Sequence, residues 1–329
     1  MVPPVADMPE PANRARVTFP LALLYPQHWA SWLLVGLICL LGLLPFNLLV
    51  ALGKGLGRAL YRLGGTRRQV ALINLGFCFP ELTEVARERM AREHFAYLGA
   101  AALAQGVCWS SSRQRLTRLL DVQGIEILNE VKQSGQPYIL LVPHFVALEL
   151  ASVAYSAAVE PGLYMYQRIR NPVFDWQVMR GRTRFGHLPL ERHDDLRTLI
   201  RSLKKGTPFY YLPDQDPGKR RGVFAPFCGQ PAATVGTLGR IARLARAVVI
   251  PVFVRFATNG RRIELRFSPP IQGLTGTDPA IDAGLMNQVI EAEVRRDPMQ
   301  YFWVHRRFKT RPPGEPSLYP RASRRRRGR

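Results

Sequence analysis

Tyr138-Ile-Leu-Leu-Val-Pro-His-Phe-Val-Ala-Leu-Glu149 is the stretch that decides how this chain folds. Tyr138 to Val142 form an apolar run with the length and β-branched content of a buried strand. Pro143 ends the run, because proline has no amide hydrogen for a sheet ladder. His144 then emerges at the strand's carboxyl end, and Phe145 to Glu149 can open a helix. A histidine followed by four residues and a carboxylate, at a strand-to-helix turn, has the makings of a general base with its orienting acid. On a regular helix the two would point about 140° apart, so the pairing requires His144 to stand outside the helix. The Pro143 break allows that. A helix-capping or core histidine beside a solvated Glu149 would leave the same short trace.

Working outward, the alternation of strand and helix continues. Arg192 to Lys205 reads as an amphipathic helix capped by Gly206, and Pro208 to Leu212 as a second apolar strand running into Pro213-Asp-Gln-Asp-Pro-Gly218. A helix over Thr234 to Ala245 precedes a third strand, Ala247 to Val254. Ile263 to Phe267 makes a fourth, hairpin-paired through Asn259-Gly260. Upstream, residues 81–105 have helical composition with Thr83 as N-cap, and shorter helices cover Gln114 to Leu120 and Gly124 to Gln133. The pattern predicts an α/β fold, a mixed sheet flanked by helices. Ligands of such sheets sit at the carboxyl ends of strands, which puts His144, Glu149, Asp214 and Asp216 on one edge. His94, His187 and His193 show no partner pattern.

The chain has 329 residues, 47% of them hydrophobic, enough for a large packed core. Its charge is unusual: 46 Lys and Arg against 24 Asp and Glu, formally +22. Such a balance predicts anionic partners, whether nucleic acid, lipid headgroups or an acidic protein. No nucleic-acid module is recognisable and the arginines are dispersed, so no nucleic acid is expected. The four cysteines, Cys39, Cys78, Cys108 and Cys228, lie far apart without a C-x-x-C, which argues against a disulfide framework and against zinc. No metal is expected.

From Val17 to Gly53 there is no charged side chain, and Trp29 to Leu44 is almost wholly apolar. Joined across Pro45 to Phe46–Leu52, this exceeds the roughly 20 residues a spanning helix needs. The alternative is a helix that dips into one leaflet and turns back at Pro45. Lys54, Arg58, Arg62, Arg67 and Arg68 follow, so the positive-inside rule places the bulk of the protein on the cytoplasmic side. Gly53-Lys-Gly-Leu-Gly57 follows an apolar helix rather than a strand, which makes it a membrane-surface turn and not a phosphate loop.

Four blocks carry a resemblance: His144-Phe-Val-Ala-Leu-Glu149; Pro213-Asp-Gln-Asp-Pro-Gly218; Val223-Phe-Ala-Pro-Phe227 with Ala232-Ala-Thr234; and Gln300 to Pro312. In this order they resemble the lipid A biosynthesis lauroyl/myristoyl acyltransferases, along nearly the whole chain. The resemblance implies a glycerolipid-acyltransferase-like core with an N-terminal membrane-anchoring helix. Composition, charge and these blocks together divide the chain into a disordered tail (1–16), an anchoring segment (17–63), a helical region (64–135), an acyltransferase core (136–312) and a basic tail (313–329). The resemblance also implies transfer of a fatty acyl chain from acyl carrier protein to a hydroxyl of a lipid A precursor, one usually bearing Kdo sugars, with no other cofactor. His144 is then the base and Glu149 its orienter. Arg182, after the Asn171-Pro172 block, would hold phosphate or the developing oxyanion. Asp214 and Asp216 would orient arginines or sugar hydroxyls, or simply build a turn. Arg168 and Arg170 would bind acceptor phosphate or face solvent, and His305-Arg-Arg307 reads as structural or headgroup-facing. Acceptor phosphates, acyl carrier protein and anionic inner-membrane lipids account for the charge. An acyltransferase acting on a glycerolipid, and a non-catalytic basic membrane or nucleic-acid-binding protein, are the alternatives.

Overall fold

A computed structural model describes residues 17–190 and 196–320. The expected disordered tail at 1–16, His193 and the arginine-rich end at 321–329 lie outside the described residues. The core is a seven-stranded sheet in the order β1-β9-β8-β2-β5-β3-β4. Its strands are β1 (Leu120–Gln123), β2 (Tyr138–Leu141), β3 (Leu163–Met165), β4 (Leu188–Leu190), β5 (Phe209–Tyr211), β8 (Val248–Phe256) and β9 (Ile263–Phe267). β6 (Gly222–Phe227) and β7 (Gln230–Val235) form a separate antiparallel hairpin. In the sheet, β8, β2, β5, β3 and β4 run parallel, while β9 is antiparallel to β8 and carries β1 with it. The mixed sheet expected from the sequence is therefore present.

β2 is central because all four of its residues are buried, as a strand covered on both faces must be. Each such aliphatic side chain contributes about 1.5–3 kcal/mol relative to exposure. The helices are α1 (Trp29–Leu41), α2 (Phe46–Arg62), α3 (Thr66–Cys78), α4 (Glu84–Ser110), α5 (Arg113–Leu119), α6 (Ile125–Gln133), α7 (Leu148–Ala158), α8 (Pro172–Thr183), α9 (Leu196–Lys204), α10 (Leu238–Ala245) and α11 (Pro279–Arg296). Thr83 caps α4 as expected, accepting from the Ala86 amide. The helix expected over Thr234–Ala245 starts only at Leu238, because Thr234 belongs to β7.

The N-terminal segment departs most from expectation. α1 has 13 residues, about 20 Å at helical rise, against about 30 Å of hydrocarbon core. Among the described residues no helix is long and apolar enough to cross a membrane, so the spanning option is not supported. Pro45 separates α1 from α2, and both helices lie against α4. Gly53 to Gly57 is no turn: it runs inside α2. There Gly57 lies against the Phe95 carbonyl and Gly99 against that of Gly53, so closely that a Cβ at either would overlap backbone. Gly106 does the same beneath Ile38, and Gly42 beneath Gly106. The opposite side of the hairpin leaves Leu33, Leu37 and Leu40 of α1 and Leu48, Leu52, Leu56 and Leu60 of α2 exposed.

The cysteine reading also changes. Cys78, ending α3, and Cys228, at the tip of the β6–β7 hairpin, form a disulfide with Cα atoms 4.7 Å apart and 150 positions apart in sequence. Spacing along the chain could not reveal it, since only the fold brings the two ends together.

Candidate active site

Parallel register builds the centre of the site. Leu141 of β2 lies opposite Tyr211 of β5, and His144 and Asp214 each follow three residues later on their strands. They meet at the carboxyl edge: the Asp214 carboxylate lies 2.6 Å from His144 Nδ1 and accepts the His144 amide at 2.8 Å. With Nδ1–H donating to a carboxylate, the Nε2 lone pair is left to act. Burial alone would push the Asp214 carboxyl up; the His144 ring and its two hydrogen bonds, with Arg307 behind, hold it below the usual carboxylate range. A second segment fixes His144 from the other side. Phe302 donates its amide to the His144 carbonyl (2.9 Å), Val146 donates to Gln300, and Phe145 and Tyr301 bridge.

Glu149, expected to orient His144, turns elsewhere. It lies in the first turn of α7, and both its oxygens accept from Arg182 of α8, at 2.8 and 2.5 Å. Burial works against the Arg182 charge, and Glu149 more than offsets it, raising that group above the ordinary arginine value. Tyr164 packs its ring under the guanidinium, 5.3 Å from its centroid, and burial pushes the Tyr164 hydroxyl up to about 12. The Asn171-Pro172 block positions this cluster by capping α8, Asn171 accepting from Val173 and Phe174.

The remaining expected residues divide. Asp216 builds structure: it accepts from Gly218 in an Asx turn and from both the amide and hydroxyl of Thr310. Arg168 and Arg170 are exposed in the loop after β3. His187 is buried between Ser152 and Gly162, and His94 is buried against the Met299 carbonyl. Two residues were not read as part of the site. Tyr301 and Arg307 line a small cavity with His144 and Asp214. The Gln300 to Pro312 block signalled the segment, but not that Arg307 would be buried. A separate small apolar pocket lies between the sheet and α7, lined by Val142, Leu148, Tyr155 and Val252 among others.

A histidine on a buried aspartate, open at its other nitrogen, is equipped to take a proton from a hydroxyl. The family profile described as bacterial lipid A biosynthesis acyltransferase matches residues 16–310, which makes the protein an O-acyltransferase by class. The chain belongs to that family. It is 36% identical to the lipid A biosynthesis lauroyltransferase of Escherichia coli (strain K12) over 302 residues, 92% of this chain and 98% of the relative. It is 33% identical to the lipid A biosynthesis myristoyltransferase of the same strain, over 90% of this chain and 92% of that one. A lipid A biosynthesis acyltransferase of Haemophilus influenzae matches at 33% over 90% of this chain and 93% of its own length.

Proposed function

We propose that this protein moves a fatty acyl chain from the thioester of acyl carrier protein to a hydroxyl of a lipid A precursor, Kdo-bearing in its usual form. The observation that carries the mechanism is the His144–Asp214 pair. His144 Nε2 takes the proton of the acceptor hydroxyl as its oxygen bonds to the thioester carbon. The tetrahedral intermediate collapses, the carbon–sulfur bond breaks, and the imidazolium returns the proton to the departing thiolate. Asp214 holds the tautomer and stabilises the imidazolium, the role first assigned to Glu149. Glu149 instead fixes Arg182, whose remaining N–H groups are available to the oxyanion or to an acceptor phosphate.

The exposed leucines of α1 and α2 support a seat on the membrane surface in place of a span, with the catalytic domain on the cytoplasmic side of the inner membrane. The acidic donor and the anionic headgroups are consistent with the +22 charge.

Purified protein given acyl-loaded carrier protein and lipid A precursor yields an acylated product detectable by mass spectrometry. His144→Ala lowers kcat by about a thousand-fold or more. Near-normal transfer by that variant sinks the mechanism. Transfer to a glycerolipid but not to the lipid A precursor favours the alternative acceptor.

A further inference from the structure

Asp214 is only 2% exposed, and a carboxylate that deep needs a counter-charge. A protonated His144 supplies one, yet a general base must begin its cycle neutral. The charge must then be met from elsewhere in the cavity. His305 does not meet it: burial pushes its imidazole down to about 4, and its Nε2 accepts the Asp216 amide. Tyr301 is neutral too, its hydroxyl pushed up by burial and then by Asp214.

Arg307 remains. Apart from His144 itself it is the one cationic side chain among the described residues lining that cavity. It is 2% exposed, and among the described residues its hydrogen bonds run to neutral oxygens: the Ala233 carbonyl, the Thr234 hydroxyl, the Asn287 amide and the Tyr301 hydroxyl. Its Nε is buried without a partner. An unpaired buried guanidinium is as costly as an unpaired buried carboxylate. These two share one cavity, and the Tyr301 hydroxyl lies within range of both.

We propose that Arg307 is the counter-charge of Asp214, a positioning residue that keeps the carboxylate ionised while His144 is neutral. It also restrains the base. Arg307 lies in the same field and offsets part of the pull that Asp214 exerts on the His144 proton. The inference rests on the reading of His144 as base.

The test is kcat against pH for wild type, R307Q, R307K and N287D. Without the guanidinium charge, the proton stays on His144 to higher pH. R307Q therefore moves the acidic limb upward by about one pH unit, lowering kcat about ten-fold well down that limb and about three-fold near neutral pH, with KM for the acyl donor nearly unchanged. R307K keeps the charge and leaves the limb in place, even where the lost fork to Ala233 and Thr234 lowers thermal stability. N287D sets a carboxylate beside Arg307 without removing it and shifts the limb in the same direction, which covers the case of an unfolded R307Q. An unmoved limb in a folded R307Q or N287D, a loss confined to KM, or an equal shift in R307K overturns the proposal. If His144→Ala keeps its activity, the base reading itself has failed; if that variant is dead and only the R307Q limb stays put, this inference alone has.

Discussion

Glu149 follows His144 by five positions, but its carboxylate belongs to Arg182. Sequence proximity favoured the wrong partner because α7 begins at Leu148 and carries Glu149 round toward α8. The true partner is 70 residues away, and what joins it to His144 is the β2–β5 register. Asp214 was still legible as an edge residue, since strand ends can be read from apolar runs. Arg307 was not, because an arginine among aromatic residues reads as surface until the fold closes over it. The Glu149–Arg182 pair is about three-quarters buried, so removing either partner strands the other. Glu149→Gln and Arg182→Gln should each lower stability by about 2–3 kcal/mol, and the double variant should cost clearly less than their sum. Additive urea midpoints would show that the two side chains are independent.

At the level of elements, β8, β9 and the hairpin turn at Asn259-Gly260 were all visible in the sequence, since their alternation and turn residues agree. The β6–β7 hairpin hid because Pro226 and Pro231 face each other across it and interrupt the pattern. The N-terminal hairpin was half legible. Its apolarity is plain, but where each helix stops depends on Pro45 and on packing against α4. Leu52 and Leu56 lie on the outer side of α2, 46% and 43% exposed. Leu52→Glu with Leu56→Glu should therefore lower co-sedimentation with anionic phospholipid vesicles by at least about ten-fold while leaving the thermal midpoint close to wild type. Undiminished sedimentation would remove this face from the membrane reading.

Across the whole molecule, the excess of arginine has two uses. Arg67 clips the Val304 carbonyl, Arg115 those of Gly42 and Leu44, and Arg184 those of Cys108 and Ser111. Part of the charge that suggested anionic ligands therefore ties distant segments together, a use composition cannot reveal. The Cys78–Cys228 bridge adds a covalent tie, with Cys39 and Cys108 left as thiols. Alkylation of denatured, unreduced protein should add two groups, and Cys228→Ser should lower stability by about 2–4 kcal/mol. Four adducts would show that the bridge is not formed. The glycines of α2 and α4 have a consequence of another kind. Backbone rests on backbone there, with no side chain to compress, and α4 in turn touches both α7 and α8. Wherever the hairpin settles, the reaction centre stands at a set height above it. On the membrane seat proposed above, a lipid acceptor would have to rise to that height for its hydroxyl to be reached, since no slack in the joint lets the enzyme stoop.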